Sequence, residues 1–440
     1  DLSTPPSISL TSPADFLSIW NAAPKIRRFP PRSKTMNLAL SDEDQAFLQQ
    51  IRAFIDHYWD RHWPQSARSP RGPASDHPEQ PRPEETAWFH ALVARGWSVP
   101  GWPVAQGGTG WTPVQRYLWD RETAYAGTPK MDVFGVNLLG PLLCARGSAE
   151  QQDRFLPPIR EARVRWCQGF AEPGAGSDLT SLDTRAARRG DSYVVNGCKA
   201  WISDAHRASW MYCLVRTAAG SARPQEGISF LLIDMTTPGI EVTPIRMLGD
   251  QYGVSTVTLT DVRVPVANLL GRENEGWDCA EAVLDLERVG GARVAQSQVE
   301  LRRLKAFAEA CMEEGGSLLE SPDFGRKVAE VEVELAGLVA LELRALGLAA
   351  ADDDTERQAA VLKLRGTEVG QRISELFVEA LGYYGLPFPD ALLIDNEGAI
   401  GHHYALPALR AMLSSRSWSV SGGTSEIQKN RIARALFEPG

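Results

Sequence analysis

What this sequence lacks narrows it before anything it contains. Its six cysteines (144, 167, 198, 213, 279 and 311) never fall into C-x-x-C spacing. That excludes a disulfide framework or a zinc site of ordinary pattern and points to reduced thiols in a cytoplasmic compartment. No apolar run approaches the roughly 20 residues that a membrane-spanning helix requires, so no membrane span is expected. Positive charge is in deficit: 46 Lys and Arg stand against 55 Asp and Glu, for a net charge of −9, which argues against a nucleic-acid binder. There is no internal repeat. What remains is the composition of a soluble globular protein, and 440 residues are enough for two or three domains.

Residues 1–36 differ from the rest. They are rich in Ser and Pro, and Lys25, Arg27, Arg28, Arg32 and Lys34 outweigh Asp1 and Asp15. A disordered extension is the favoured reading, with a targeting segment as the alternative. Helical periodicity runs over Leu38–Trp59, Trp88–Arg95, Val114–Ala126 and Gln151–Ile159, and a proline-rich insertion at 66–85 reads as an exposed loop. The Trp/Gly/Pro stretch from Gly96 to Gly108 reads as core filler. From Trp166 the period changes to two, with strands expected at Trp210–Arg216, Gly227–Asp234, Glu241–Arg246 and Ser255–Val262. Helices return at Trp277–Cys311, Asp323–Ala351, Thr355–Leu381 and after Pro407. The pattern predicts an α+β multidomain chain: 37–165 helical, 166–275 all-β and 276–440 helical.

The stretch Gln168–Ser203 is the most informative. Glu172-Pro173-Gly174-Ala175-Gly176-Ser177-Asp178 is a turn whose glycines allow close approach of backbone N–H groups to a ligand, and Ser177 adds a hydroxyl. Downstream, Asn196-Gly197 signals a two-residue hairpin. Trp201 and Ser203, two apart, share a face of the returning strand. A flat ligand with polar edges suits this arrangement, and so does an ordinary loop with a buried Trp. Glu287 is the second informative residue. Its neighbours at three and four residues are Val283, Leu284, Gly290 and Gly291, so its carboxylate lies on an apolar face, where burial is costly and favours the protonated form. Asp285, beside Glu281 and Arg288, has the pattern of a solvated face. A surface Glu on an imperfectly amphipathic helix fits the same residues.

The run FAEPGAGSD followed by NGCKAWIS resembles the flavin-dependent acyl-CoA dehydrogenases, and the resemblance extends from about Leu38 to Phe437. It implies an N-terminal helical domain, a middle β-barrel and a C-terminal four-helix bundle. It also implies FAD as cofactor and oxidation of an acyl-CoA thioester at Cα–Cβ to the trans-2-enoyl-CoA. Electrons would pass to an electron-transfer flavoprotein or similar acceptor. In the family the base is the Glu of a C-terminal Y-E-G-T run or the Glu of an L-x-x-E-R run on a bundle helix. This chain has Ser421-Gly422-Gly423-Thr424 at the first place and Leu284-Asp285-Leu286-Glu287-Arg288 at the second, so the resemblance assigns the base to Glu287. Gly422 retains the backbone N–H that, with a flavin hydroxyl, would hold the thioester oxygen.

By the same resemblance Gln168, Phe170, Ala171, Gly176, Ser177, Trp201, Ser203, Thr424 and Glu426 line the flavin, while Ser177, Arg288 and Gly422 meet the acyl-CoA. Two departures concern the FAD of a neighbouring subunit. The family's R-x-x-F-G run has no counterpart around Ala310–Gly315, and Q-x-x-G-G-x-G reads Glu379-Ala380-Leu381-Gly382-Tyr383-Tyr384-Gly385. Assembly is therefore expected as a homodimer or homotetramer, or as a heteromer with a second acyl-CoA dehydrogenase-like subunit. The similarity to large subunits of paired complexes suggests a bulky acyl group: steroid side-chain, dicarboxyl or aryl. The competing readings are an oxidase of the same fold and a non-catalytic partner subunit. His402-His403, without acidic or Cys company, reads as surface.

Overall fold

The computed structural model describes residues 40–59, 83–218, 223–249, 252–290, 292–313, 316–349, 355–386 and 405–437. Residues 1–36, most of the proline-rich insertion and His402-His403 lie outside them. The chain divides into two units at Gln45/Ala46. The sheet, the bundle and the candidate site belong to the second; only the start of the first helix lies in the other.

Helices come first: α1 (Asp42–Tyr58), α2 (Pro83–Arg95), α3 (Pro113–Ala126), α4 (Gly140–Arg146, entered through a π-helical turn over Phe134–Leu139) and α5 (Ala149–Arg160). Their starts are written in the sequence. Thr112 with Gln115, and Ser148 with Gln151, form reciprocal capping boxes at α3 and α5, and Pro113 occupies the first turn of α3. Tryptophans fill the space between these helices, as expected. Trp88 and Trp119 stack at 6.3 Å, Trp97 packs edge-on to Trp119, and Trp102 donates to the Val136 carbonyl at 2.7 Å. Any Cβ at Gly140 would lie 2.2 Å from the Trp102 ring, so only glycine fits there.

Eight strands follow in one sheet: β1 (Trp166–Gly169), β2 (Arg185–Arg189), β3 (Ser192–Ser203), β4 (Trp210–Arg216), β5 (Ile228–Asp234), β6 (Ile240–Ile245), β7 (Val254–Pro265) and β8 (Leu269–Leu270). The order is β6-β7-β3-β2-β4-β5-β8, with β1 parallel to β4. Inward side chains from six of the strands, among them Cys167, Tyr193, Val195, Met211, Leu231 and Val257, meet in a single core, so the sheet curls around itself. A second core lies between the outer face of the sheet and the helices, joining Trp102, Leu139, Phe155, Trp166, Tyr212, Phe230 and Val283. All six cysteines are free thiols.

The expected hairpin at Asn196-Gly197 is not there. Those residues sit in mid-strand, where the register against β7 shifts between Val195 and Gly197. Asn196 pairs both ways with Asp261, accepting from its N–H at 2.9 Å and donating to its carboxylate at 3.0 Å. At Gly197 a Cβ would lie 2.4 Å from Thr184 Oγ1, so the glycine serves close packing and a bulge instead of a turn. The hairpin that does form joins β2 to β3 through Gly190-Asp191.

The last region contains α6 (Trp277–Gly290), α7 (Val294–Ala310), α8 (Pro322–Ala349), α9 (Thr355–Leu381), α10 (Ala405–Ser415) and α11 (Ser425–Phe437). The single helix expected over Trp277–Cys311 is broken before Arg293, whose φ of 53° is left-handed. A short antiparallel pair, Met312–Glu313 with Gly316–Ser317, links α7 to α8. The Glu-rich α8 buries Val328, Val331 and Leu335 against α7 and α9, which is bundle packing as expected. Among the described residues no helix is long and apolar enough to cross a membrane, and no metal-binding cluster occurs.

Packing between α3 and α8 makes stability depend on pH. Glu342 on α8 is pushed up to about 7, first by burial and then by Asp120 on α3. A carboxyl raised in the folded state contributes fully below its ordinary value of 4.5 and loses that contribution as pH rises toward 7. Glu342→Gln is therefore expected to raise the thermal midpoint at pH 8, by about 1–3 kcal/mol of stability, with the gain vanishing near pH 4.5. Melting curves of the two proteins across pH 4.5–8 check this.

Candidate active site

Three elements converge around Glu287. Helix α6 buries Cys279, Ala280 and Val283 and exposes Asp285, leaving Glu287 half-buried at the margin of the apolar face. Gln168, at the end of β1, donates from Nε2 to Glu287 Oε2 at 3.4 Å. Tyr212 on β4 donates its hydroxyl to Gln168 Oε1 at 2.8 Å, which fixes the amide so that its NH₂ faces the carboxylate. Tyr212 is fully buried, stacked on Phe230 with ring planes 5° apart, and burial followed by the Glu287 charge drives its phenol far above the ordinary value. It stays a proton donor at any working pH.

The third element is the turn between α10 and α11. Gly422 (φ 65°) and Gly423 (φ 88°) adopt left-handed backbone, a conformation open to glycine at little cost. A Cβ placed on Gly422 would lie 3.4 Å from Glu287 Oε1. The helix carboxylate thus faces the very backbone where the sequence has lost its alternative acid. No group among the described residues takes up the Gly422 N–H. Gln428, almost wholly buried, clasps the turn from below by donating to the Gly423 carbonyl at 3.2 Å. Thr424 Oγ1 accepts from the Ile427 N–H at 3.2 Å, so its hydroxyl caps α11. Glu426 is exposed.

Helix α9 holds both halves in register through one face, Lys363, Gly366, Thr367 and Gly370. A Cβ on Gly366 would lie 2.2 Å from the Ala292 carbonyl oxygen, at the break after α6, and one on Gly370 would lie 3.0 Å from the Trp418 ring. Arg293, just past the break, stacks its guanidinium 4.1 Å from the centroid of the same ring.

The remaining expected residues form a group along the exit of β1. The Ala200 N–H donates to the Ala171 carbonyl at 2.9 Å, which binds the segment after Gln168 to β3 beside Trp201. A bulge between Lys199 and Ile202 puts both of those side chains inward and turns Trp201 outward, 62% exposed at φ 61°. Ser203, at the end of β3 opposite Val254, is half-buried. Glu172 and Ala175 close the Pro173-Gly174 turn with two mutual backbone bonds, and Gly176 and Ser177 are exposed beyond it. Neither Gly174 nor Gly176 needs positive φ, and a Cβ at either would meet no atom of the chain within 4 Å. Their glycine identity is not demanded by the fold. Phe170 differs from expectation: its ring is buried against Tyr212 and Phe230, so only its backbone can reach a ligand. The side chain of Arg288 lies outside the described residues.

Two features escaped the sequence reading. One is the Tyr212–Gln168–Glu287 relay, which only strand pairing assembles. The other is a buried ion pair: Lys199 Nζ lies 2.7 Å from Glu172 Oε1 and also donates to the Phe170 carbonyl, while Glu172 accepts from the N–H groups of Asp183 and Thr184. Both residues were visible as letters of the motif, but their pairing across 27 positions was not.

A helical region, a curled sheet and a helical bundle, with the Glu287 carboxylate set against a glycine turn, make up the architecture that the resemblance to the acyl-CoA dehydrogenases implies. Similarity to known proteins agrees. Residues 41–163, 167–262 and 274–437 match the acyl-CoA dehydrogenase N-terminal, middle and C-terminal domains, respectively. The chain belongs to the acyl-CoA dehydrogenase family. It is 33% identical over 367 residues to acyl-CoA dehydrogenase IpdE1 of Mycobacterium tuberculosis, covering 83% of this chain and 90% of that one. Among solved structures, the Tcur3481-Tcur3483 steroid ACAD superposes with a TM-score of 0.76 at 26% identity, covering 92% of this chain and 100% of the other. The ChsE4-ChsE5 complex from Mycobacterium tuberculosis gives 0.76 at 27%, with the same coverage.

Proposed function

We propose that this chain oxidises an acyl-CoA thioester at Cα–Cβ to the trans-2-enoyl-CoA, with FAD as cofactor and Glu287 as the base. The observation that carries this is the Glu287 carboxylate facing the Gly422 backbone. The α-proton of a thioester is too weakly acidic for a carboxylate unless the enolate oxygen is stabilised as charge develops. The Gly422 N–H is the donor for that oxygen, and a preorganised donor of this kind is typically worth about 3–4 kcal/mol. Glu287 then accepts the α-proton, oriented by Gln168. FAD, when bound, supplies the acceptor for the β-hydrogen and its electron pair.

The residues present fit the isoalloxazine end of FAD. Gly174 and Gly176 leave their backbone open to approach, and Trp201 offers an exposed aromatic face held at a left-handed φ. Gln168, the Phe170 and Ala171 backbone, Ser177, Ser203, Thr424 and Glu426 complete the set we assign to it, with Ser177, Arg288 and Gly422 toward the thioester. The adenosine end fits less well. Tyr383 stands exposed where the family has glycine, and Glu379, in place of the family's Gln, is engaged by Lys327 at 2.7 Å. We therefore assign the partner as a second, different acyl-CoA dehydrogenase-like subunit; the Tcur3481-Tcur3483 and ChsE4-ChsE5 neighbours are two-component complexes. The first of these neighbours, a steroid ACAD, supports a bulky, steroid-like acyl group. Electrons go to an electron-transfer flavoprotein-like acceptor in the cytoplasm, and the working domains are 37–165, 166–275 and 276–440.

The test is spectroscopic. Purified alone and with a candidate partner chain, the protein is expected to carry flavin absorbance that bleaches anaerobically on adding a CoA thioester, fastest with a steroidal member of a straight, branched and steroidal panel. A protein that binds no flavin in either state contradicts the reading, and peroxide release in air at the rate of bleaching marks an oxidase instead.

A further inference from the structure

Lysine rarely sits almost wholly buried without a carboxylate in direct contact. Lys363 does: it is 5% exposed, and its ammonium donates to Thr367 Oγ1 at 3.3 Å and to the Trp418 carbonyl. Its Cε comes 3.6 Å from where a Cβ on Gly422 would stand, the same point that Glu287 Oε1 approaches to 3.4 Å. The lysine and the carboxylate therefore flank one turn from two sides. We propose that Lys363 is a positioning residue that pins the Trp418–Gly423 turn to α9 and, as a buried cation, keeps Glu287 ionised and ready to accept a proton. This rests on the reading of Glu287 as the base.

The groups that face Glu287 decide the sign. From β1 comes the neutral Gln168 amide, from β4 the Tyr212 phenol behind it, from the α10–α11 turn the Gly422 backbone, and from α9 Lys363, whose charge is coupled to that of Glu287. Lys363 supplies positive charge from across the site, and in a half-buried setting a nearby cation favours the carboxylate over the acid. Burial pulls Lys363 below its ordinary value while Glu287 holds it up, so the pair is mutually supporting.

Infrared difference titration of the FAD-loaded protein, with Glu287→Gln as the subtraction, reads the Glu287 carboxyl directly. Lys363→Met keeps the aliphatic stem and deletes the charge, and its Glu287 midpoint is expected about one pH unit higher. Lys363→Gln, which retains a donor for the Trp418 carbonyl, should show the same shift with less disturbance of the turn, and Lys363→Arg should return the midpoint to the native value. The acid limb of the flavin-bleaching rate should move up by the same amount. A folded Lys363→Met or Lys363→Gln with an unmoved Glu287 midpoint overturns the proposal, even if turnover drops. The two readings separate cleanly: a shifted midpoint in a protein that no thioester bleaches would sink the reaction and leave the lysine's role standing.

Discussion

Glu287→Gln is expected to keep the flavin and the fold while turnover falls about 10²- to 10⁴-fold, the range a positioned general base contributes. The substitution is isosteric, and the amide oxygen can still accept from Gln168. What disappears is the basic lone pair. Asp285, two residues along, cannot substitute, since it is exposed on the opposite side of α6. Gly422 offers only backbone. The three atoms nearest a Cβ on Gly422 belong to Glu287 and Lys363. Stopped-flow bleaching at saturating thioester measures it, with bound flavin quantified in the same sample. Native-like bleaching would remove Glu287 from the chemistry.

The second large effect concerns stability. Lys199→Met is expected to destabilise the sheet region by about 3–5 kcal/mol, because it leaves the buried Glu172 carboxylate without its counter-charge. Burial pushes the Glu172 carboxyl up, but Lys199 and the N–H groups of Asp183 and Thr184 outweigh it, and the net position is below the ordinary 4.5. A depressed carboxyl contributes its stability above the ordinary value and loses it as pH falls through the folded one, so the brace should release in acid. The double variant Glu172→Gln/Lys199→Met removes both charges and should melt above Lys199→Met alone. Flavin retention should follow the same order, because this pair fixes the turn from Glu172 to Ser177. Thermal melts of the three proteins at pH 7, with flavin content, decide it. Equal melting of Lys199→Met and the native chain would show that the pair braces nothing.

Much of the architecture could be read before any coordinates. The strand at Trp210–Arg216 and the helix at Thr355–Leu381 fall where periodicity put them, because long regular patterns outweigh local ambiguity. The misses have physical causes. Asn196-Gly197 carries the strongest two-residue turn signal in the chain, yet close packing on Thr184 and pairing with Asp261 turned the same residues into a bulge. The π-turn at Phe134–Leu139 went unseen because its apolar residues follow no helical period; Asp132 sets it by accepting from both the Gly135 and Trp166 N–H groups. Glu287 stands out in the sequence by its apolar face and by the missing acid at Gly422, the backbone its carboxylate faces. Lys363 was not, since nothing in Val361-Leu362-Lys363-Leu364 separates a buried ammonium from a surface one. Sequence shows which residues carry chemistry; only tertiary contact shows which charges share a dielectric.

For this chemistry to occur, one side chain must meet one carbon. A crystal structure of the FAD-loaded protein holding an unreactive CoA thioester tests that meeting directly. The expectation is a Glu287 oxygen about 3–3.5 Å from the thioester α-carbon and the Gly422 N–H about 2.7–3.1 Å from the thioester oxygen. A different carboxylate at that carbon, or Glu287 turned away toward solvent with the thioester in place, would contradict it.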